Sequence, residues 1–284
     1  MTTSLDTRIH CGQVEARGAL SIAPLFSDWP STPRGYLSGT SASVEVSELP
    51  TPRIDRLLVR NRGTRPALLV EGELMEGGAQ HRVLTETLLV PPGQVVPVSS
   101  RCVEARRWHT DLSAHRRRAR RAPLAVQAAT RRDDAQGEVW AQVSRYDAVA
   151  GPSATESLPE RLDRVEAATR DLTAGLRPLA GQRGVIIGIG GRPAALHLYD
   201  SRTTLLDSWD ALLQAAALDA VGTPPVRMPA ARARALAERV ERTPLREVPT
   251  PGLGRRLEGG SRVRVDTLHW NGRTVALTAL VLEA

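Results

Sequence analysis

Apolar residues recur with period two at both ends of the chain and with the wider spacing of helices through its middle. Val263, Val265 and Thr267 alternate with polar residues before Asn271-Gly272, and Val275, Leu277, Ala279 and Val281 alternate after it. Alternation on both sides of Asn-Gly is the pattern of a two-residue hairpin. Val185–Ile189 and Ala194–Tyr199 flank Gly190-Gly191 in the same way, and Asp55–Arg60 and Pro66–Glu71 flank Asn61-Arg62-Gly63, so three hairpins are predicted. Further strands are expected at Leu20–Phe26, at Ala42–Val46 and between Leu84 and Val98, where Pro91-Pro92-Gly93 marks a turn.

Helices are expected after the midpoint. Ser157-Leu158-Pro159-Glu160 has the form of a capping box, and Leu158, Leu162, Val165, Leu172 and Leu176 keep one helical face apolar behind it. A shorter helix is predicted over Glu138–Val149 with Trp140 and Val143 on one face. Another spans Thr204–Val221, turns Trp209, Leu212, Leu213 and Ala216 inward, and stops at Gly222. Pro229 opens an Arg/Ala-rich helix that ends at Thr243-Pro244. This order predicts an α+β fold of mostly antiparallel, sandwich-like sheet, with helices packed from the middle and C-terminal half. One compact domain over residues 1–284 is the expectation, with 111–134 a basic loop or linker and Gly151–Thr155 a second break. The phrases GGRPAALHL and NGRTVALTA resemble each other, as a repeat or as hairpin chemistry met twice.

At 284 residues and 41% hydrophobic, the chain has ample material for a core. The first thirty residues carry charges throughout, and no apolar run is long enough to cross a bilayer, so no membrane partner and a cytoplasmic location are expected. Cys11 and Cys102 lie far apart without a CxxC pair, and six scattered histidines form no ligand motif, so no disulfide framework, metal or cofactor is expected. All 38 basic residues are arginine. That excludes Schiff-base and phosphate-loop lysines while leaving forked contacts to phosphate or carboxylate. Arginine-biased codon usage explains the same composition. Gly188-Ile189-Gly190-Gly191 is followed by Pro193 and a strand, which excludes a dinucleotide loop, and no GxSxG elbow is present.

The densest chemistry lies between Leu69 and Trp108, with Glu71, Glu73, Glu76, Glu86, Glu104, Gln80, Arg82, Cys102, Arg106 and Arg107. On a continuous strand Glu71 and Glu73 would share a face, as would Cys102, Glu104 and Arg106, with Arg107 opposite. Paired carboxylates suit acid/base work, and equally a structural ion pair with Arg82 or Arg107. Glycines at Gly77-Gly78 admit a ligand or another backbone. Cys102, seven residues before His109, reads as a nucleophile or, more simply, a buried thiol. Trp108 would stack on a ring or cover the core. The run His115 to Arg121 offers Arg116, Arg117, Arg118, Arg120 and Arg121 to a nucleic acid, or to solvent.

GEL-x-x-GG-x-Q-x-R at Gly72–Arg82 and CVE-x-x-RW at Cys102–Trp108, followed by Glu138-Val139-Trp140 and GVIIGIGGRPAALHLYDS, resemble the ARG- and rhodanese-phosphatase-superfamily-associated protein domain. The likeness runs in order from about Gly18 to about Val281. It implies a setting in ADP-ribose or NAD metabolism and points to Glu73, Gly78, Gln80, Arg82, Cys102, Glu104, Arg107 and Trp108. The reading that follows is a nucleotide-like ligand bound, or hydrolysed, with Glu73 and Glu104 as acid and base and Gln80, Arg82, Arg107, Trp108 and Gly78 holding it. The alternatives are a non-enzymatic arginine-rich nucleic-acid binder and a structural or homo-oligomerising module.

Overall fold

The computed structural model describes residues 5, 7–30, 33–107, 114–132 and 134–282. In chain order its strands are β1 (Ile9–Cys11), β2 (Glu15–Arg17), β3 (Leu20–Ser27), β4 (Val44–Ser47), β5 (Arg56–Asn61), β6 (Ala67–Leu69), β7 (Leu74–Gly77), β8 (Arg82–Leu84), β9 (Leu88–Val90), β10 (Val95–Cys102) and β11 (His115–Arg116). Helices α1 (Leu124–Ala129), α2 (Ala135–Arg145), α3 (Asp147–Ala150), α4 (Leu158–Arg164) and α5 (Glu166–Thr173) follow. Then come β12 (Gly184–Ile189), β13 (Arg192–Tyr199), α6 (Arg202–Ala220), α7 (Ala230–Glu241), β14 (Leu245–Val248), β15 (Arg255–Gly259), β16 (Val263–Trp270) and β17 (Arg273–Val281). The antiparallel α+β class expected from the sequence holds.

The chain divides into two compact units, one formed by 1–34, 170–250 and 254–284, the other by 35–169 with 251–253. In the first, the strands run β1-β3-β12-β13-β17-β16-β15-β14, with β2 also on β3. Two of the predicted hairpins stand here, β12–β13 across Gly190-Gly191 and β16–β17 across Asn271-Gly272, where φ is +52° and +74°. Their second strands, which carry the two similar phrases, are neighbours in the sheet, with Leu198 opposite Leu277. Ile186, Leu196 and Leu198 join Ala233, Leu236, Ala237 and Val240 of α7 in one core. The intervening Val185, Ile187, Ala195 and Tyr199 are buried as well, so these strands are covered on both faces. As expected, α6 turns Trp209, Leu212, Leu213 and Ala216 inward. None of the described helices is long and apolar enough to cross a membrane.

In the second unit β10-β5-β4-β11-β7-β8 closes into a barrel, because β10 pairs with β5 through Val95–Ser99 and with β8 through Ser100–Cys102. Val46, Leu57, Val59, Met75, Leu84, Val96 and Val98 fill its core. The hairpin expected around Asn61 does not form. Both edges of β5 are taken by β4 and β10, and β6 pairs with β9 instead. Asn61 is buried, accepts from Gly63 N at 2.9 Å and donates to the carbonyls of Arg65 and Val90, so its side chain organises a loop instead of a return. The helix expected from Leu158 to Leu176 breaks at Val165. Its cap is also modified: Ser157 Oγ accepts from Glu160 N, but the Ser153 hydroxyl, not Glu160, receives the Ser157 amide.

Candidate functional site

The backbone at Gly72 decides where the first carboxylates go. Its φ of +86° ends strand geometry, and a Cβ there would lie 2.5 Å from the Gln127 side chain. Glu71 and Glu73 therefore do not share a strand face as expected. Glu71 accepts Arg131 Nε at 2.8 Å, and its carbonyl accepts from Arg121. Glu73 accepts Arg117 Nε at 2.6 Å and the Val70 amide at 3.0 Å. Glu76, one turn of pleat further on, takes Arg120 at 2.8 Å. The acidic stretch and the basic run thus neutralise one another inside the barrel unit. Of the five arginines considered for nucleic acid, Arg116 and Arg118 remain exposed, while Arg117, Arg120 and Arg121 are spent on these contacts.

A second group forms around β8 and β11. Gly78 has φ +59°, and a Cβ would fall 2.2 Å from His115 Nε2. The space that glycine leaves is occupied by the His115 ring, whose Nε2 lies 3.1 Å from Glu48 Oε1 and whose Nδ1 lies 3.2 Å from the Met75 carbonyl. Glu48 also accepts the Ala79 amide at 3.2 Å and faces Arg82 Nη2 at 3.7 Å. Arg82 has no exposed surface. It donates to Gln80 Oε1, and Gln80 donates to the Glu104 carbonyl at 2.8 Å.

Glu104 anchors the third group. Strand geometry ends at Cys102, so Glu104 faces Arg107, not Arg106, which is exposed beside Glu156. Arg107 Nε donates to Glu104 Oε2 at 2.8 Å, and Nη2 lies 2.7 Å from the same oxygen. Thr155 Oγ1 donates to the other oxygen at 2.7 Å. Burial works against ionisation here, but the hydrogen bonds from Arg107 and Thr155 prevail and hold this carboxyl below its usual range. His81 accepts the Gly77 amide on Nδ1 at 2.8 Å, which places its proton on Nε2. Burial pushes its pKa down despite Glu104 beside it.

Glu73 and Glu104 are not brought together. Glu73 is hydrogen-bonded through its backbone to Leu84, whereas Glu104 lies against Gln80, four positions along the same segment. The two carboxylates share no hydrogen-bond partner: Glu73 is held by Arg117 and the Val70 amide, Glu104 by Arg107, Thr155 and the His81 amide. The structure does gather Gly78, Gln80, Arg82, Glu104 and Arg107; Trp108 lies outside the described residues. Cys102 is buried, with Sγ donating to the Glu104 carbonyl at 2.8 Å and accepting its amide at 3.3 Å. Burial raises its thiol pKa, and burial pushes that of Cys11 up to about 11. Both thiols should therefore resist a maleimide at neutral pH in the native protein and react promptly in denaturant. Fast native labelling of Cys102 would contradict this arrangement.

Three participants carry no sequence motif. Glu48 stands alone on a polar stretch, and His115 is masked by the arginines after it. Gln136 of α2 exchanges two hydrogen bonds with the Cys102 backbone, at 3.0 and 2.9 Å, as a strand partner would. Spacing cannot reveal residues that act through the fold alone.

An antiparallel α+β protein in two units, with a small barrel knitted by buried arginine–carboxylate pairs, is the class these features define. The chain belongs to the ARG and Rhodanese-Phosphatase-superfamily-associated Protein domain family, whose model matches residues 8–280. Comparison with curated proteins and with solved structures gave no match.

Proposed function

We propose that this protein binds a nucleotide-like anion related to ADP-ribose or NAD, and that it does so without a Glu73–Glu104 hydrolytic pair. The association of its family with ARG supports the ligand class. The carrying observation is the state of the two carboxylates: each is neutralised by its own arginine, Glu73 by Arg117 and Glu104 by Arg107, which leaves neither poised as acid or base. A general acid also needs a raised pKa, and Glu104 is shifted the other way. Binding is the reading left. The ligand would enter beside Arg107 and His81, whose side chains are 18% and 20% exposed in an otherwise buried cluster.

Thermal shift and calorimetry with ADP-ribose and NAD test this on the intact chain. A ligand at 100 times its Kd should stabilise the protein by about 2.7 kcal/mol. Arg107→Ala should weaken binding, and chromatography of the incubated ligands should show no product. Turnover abolished by Glu73→Gln or by Glu104→Gln would overturn the reading. If neither compound binds, the pairing of Glu71, Glu73, Glu76 and Glu104 with arginines favours a structural module instead.

A further inference from the structure

A second site lies in the other unit and owes nothing to the barrel network. On α7, Arg232, Leu236 and Arg239 recur at helical spacing and share one face. Leu236 is buried and both arginines are exposed. With Arg192 at the start of β13 and the cross-strand pair Val263–Val281 at the sheet's end, this face lines a cleft of about 450 Å³. An adjoining cleft of about 440 Å³ shares Arg239 and Val263 and adds Arg242 and Arg262. The two make one groove, with an apolar floor and a rim of guanidinium groups.

Its electrostatics are the reverse of the barrel's. There Arg82, Arg117, Arg120 and Arg131 meet carboxylates, whereas no Asp or Glu lines either part of this groove. The side chains of Arg192 and Arg239 form no hydrogen bond or ion pair among the described residues, and Arg232 donates only to the Gly191 carbonyl, at 2.8 Å. Arg192 and Arg239, two such cations on a concave, partly apolar wall, concentrate positive potential, which an anion relieves. The volume falls within the range of small-molecule sites. Arginine forks match phosphate and carboxylate oxygens alike.

We propose that this groove binds a small organic oxyanion, its apolar body resting on Leu236, Val263 and Val281 and its phosphate or carboxylate held by Arg192 and Arg239. Calorimetry on the full chain with 1-naphthyl phosphate, 1-naphthoate, 1-naphthol and inorganic phosphate tests it. The double variant Arg192→Ala/Arg239→Ala serves as the control; both side chains are exposed and without protein partners, so its melting temperature should be unchanged. One naphthyl anion should bind at least about tenfold more tightly than inorganic phosphate, and at least about tenfold more tightly to the wild type than to the variant, with naphthol inert. Preference between the two anions assigns phosphate or carboxylate. Equal binding by wild type and variant, inorganic phosphate matching the naphthyl anions, or no anion binding at millimolar concentration would each overturn the proposal.

Discussion

Replacing Glu48 with leucine should cost about 3–5 kcal/mol of stability, the penalty for leaving buried charge without its partner. Glu48 accepts from His115 and Ala79 and faces Arg82, and neither Arg82 nor His115 can turn its charge or polarity to water. The measurement is a shift of the denaturation midpoint in urea at unchanged slope. A double variant, Glu48→Leu with Arg82→Met, should recover much of the loss, because the stranded guanidinium is then gone. If the double variant is as unstable as the sum of the single ones, the pair is not coupled.

The same group sets the response to acid. Burial opposes ionisation of Glu48, but hydrogen bonding to His115 and the charge of Arg82 hold its carboxyl below the ordinary 4.5. A depressed carboxyl contributes stability that is complete above the unfolded value and is lost as pH falls through the folded one. His81 acts in the same direction, since burial depresses its pKa and the unfolded ring takes up a proton below about 6.5 first. Stability should therefore decline steadily from pH 6.5 downward, with the carboxylate contribution lost last.

Gly78→Ala should cost about 2–5 kcal/mol, combining left-handed strain of about 1–2 kcal/mol with loss of the His115–Glu48 contact. Gly93 provides the comparison. Its φ is +72°, but nothing lies within 4 Å of the Cβ it lacks, so Gly93→Ala should show the strain alone. Equal effects at the two sites would remove the His115 contact as the reason for glycine at 78. The sequence offers Gly78 as a place where a ligand's approach needs room. In the structure the room is used by an imidazole of the same chain.

That difference shows what was legible. Asn271-Gly272 and Gly190-Gly191 give hairpins because a tight return needs only local conformations that those residues favour. α6 and α7 follow equally from spacing. Asn61-Arg62-Gly63 carries the same local signal and fails, because β5 finds both its partners elsewhere and the turn residues cannot outweigh two ladders. Barrel closure depends on β10 pairing with two strands in succession, which no window of sequence displays. The candidate stretch was correctly rich in ionic chemistry, yet which charge meets which was hidden. Arg117 reaches Glu73 across 44 positions, and the left-handed Gly72 removes the shared face that alternation predicts.

The interleaving of the two units fixes a timetable for the growing chain. β3 has β12 as its inner neighbour in the sheet, and every strand of the barrel is translated between them. The barrel's ladders can thus all close while β3 still lacks that neighbour. The long sheet, by contrast, can be assembled only after the polypeptide has passed β17. A ribosome stalled near residue 180 would hold a barrel with all its strands and a β2–β3 hairpin still lacking β12. Shortening the chain from its C-terminal side would then spare the barrel strands and dismantle the sheet that contains β1, β2 and β3.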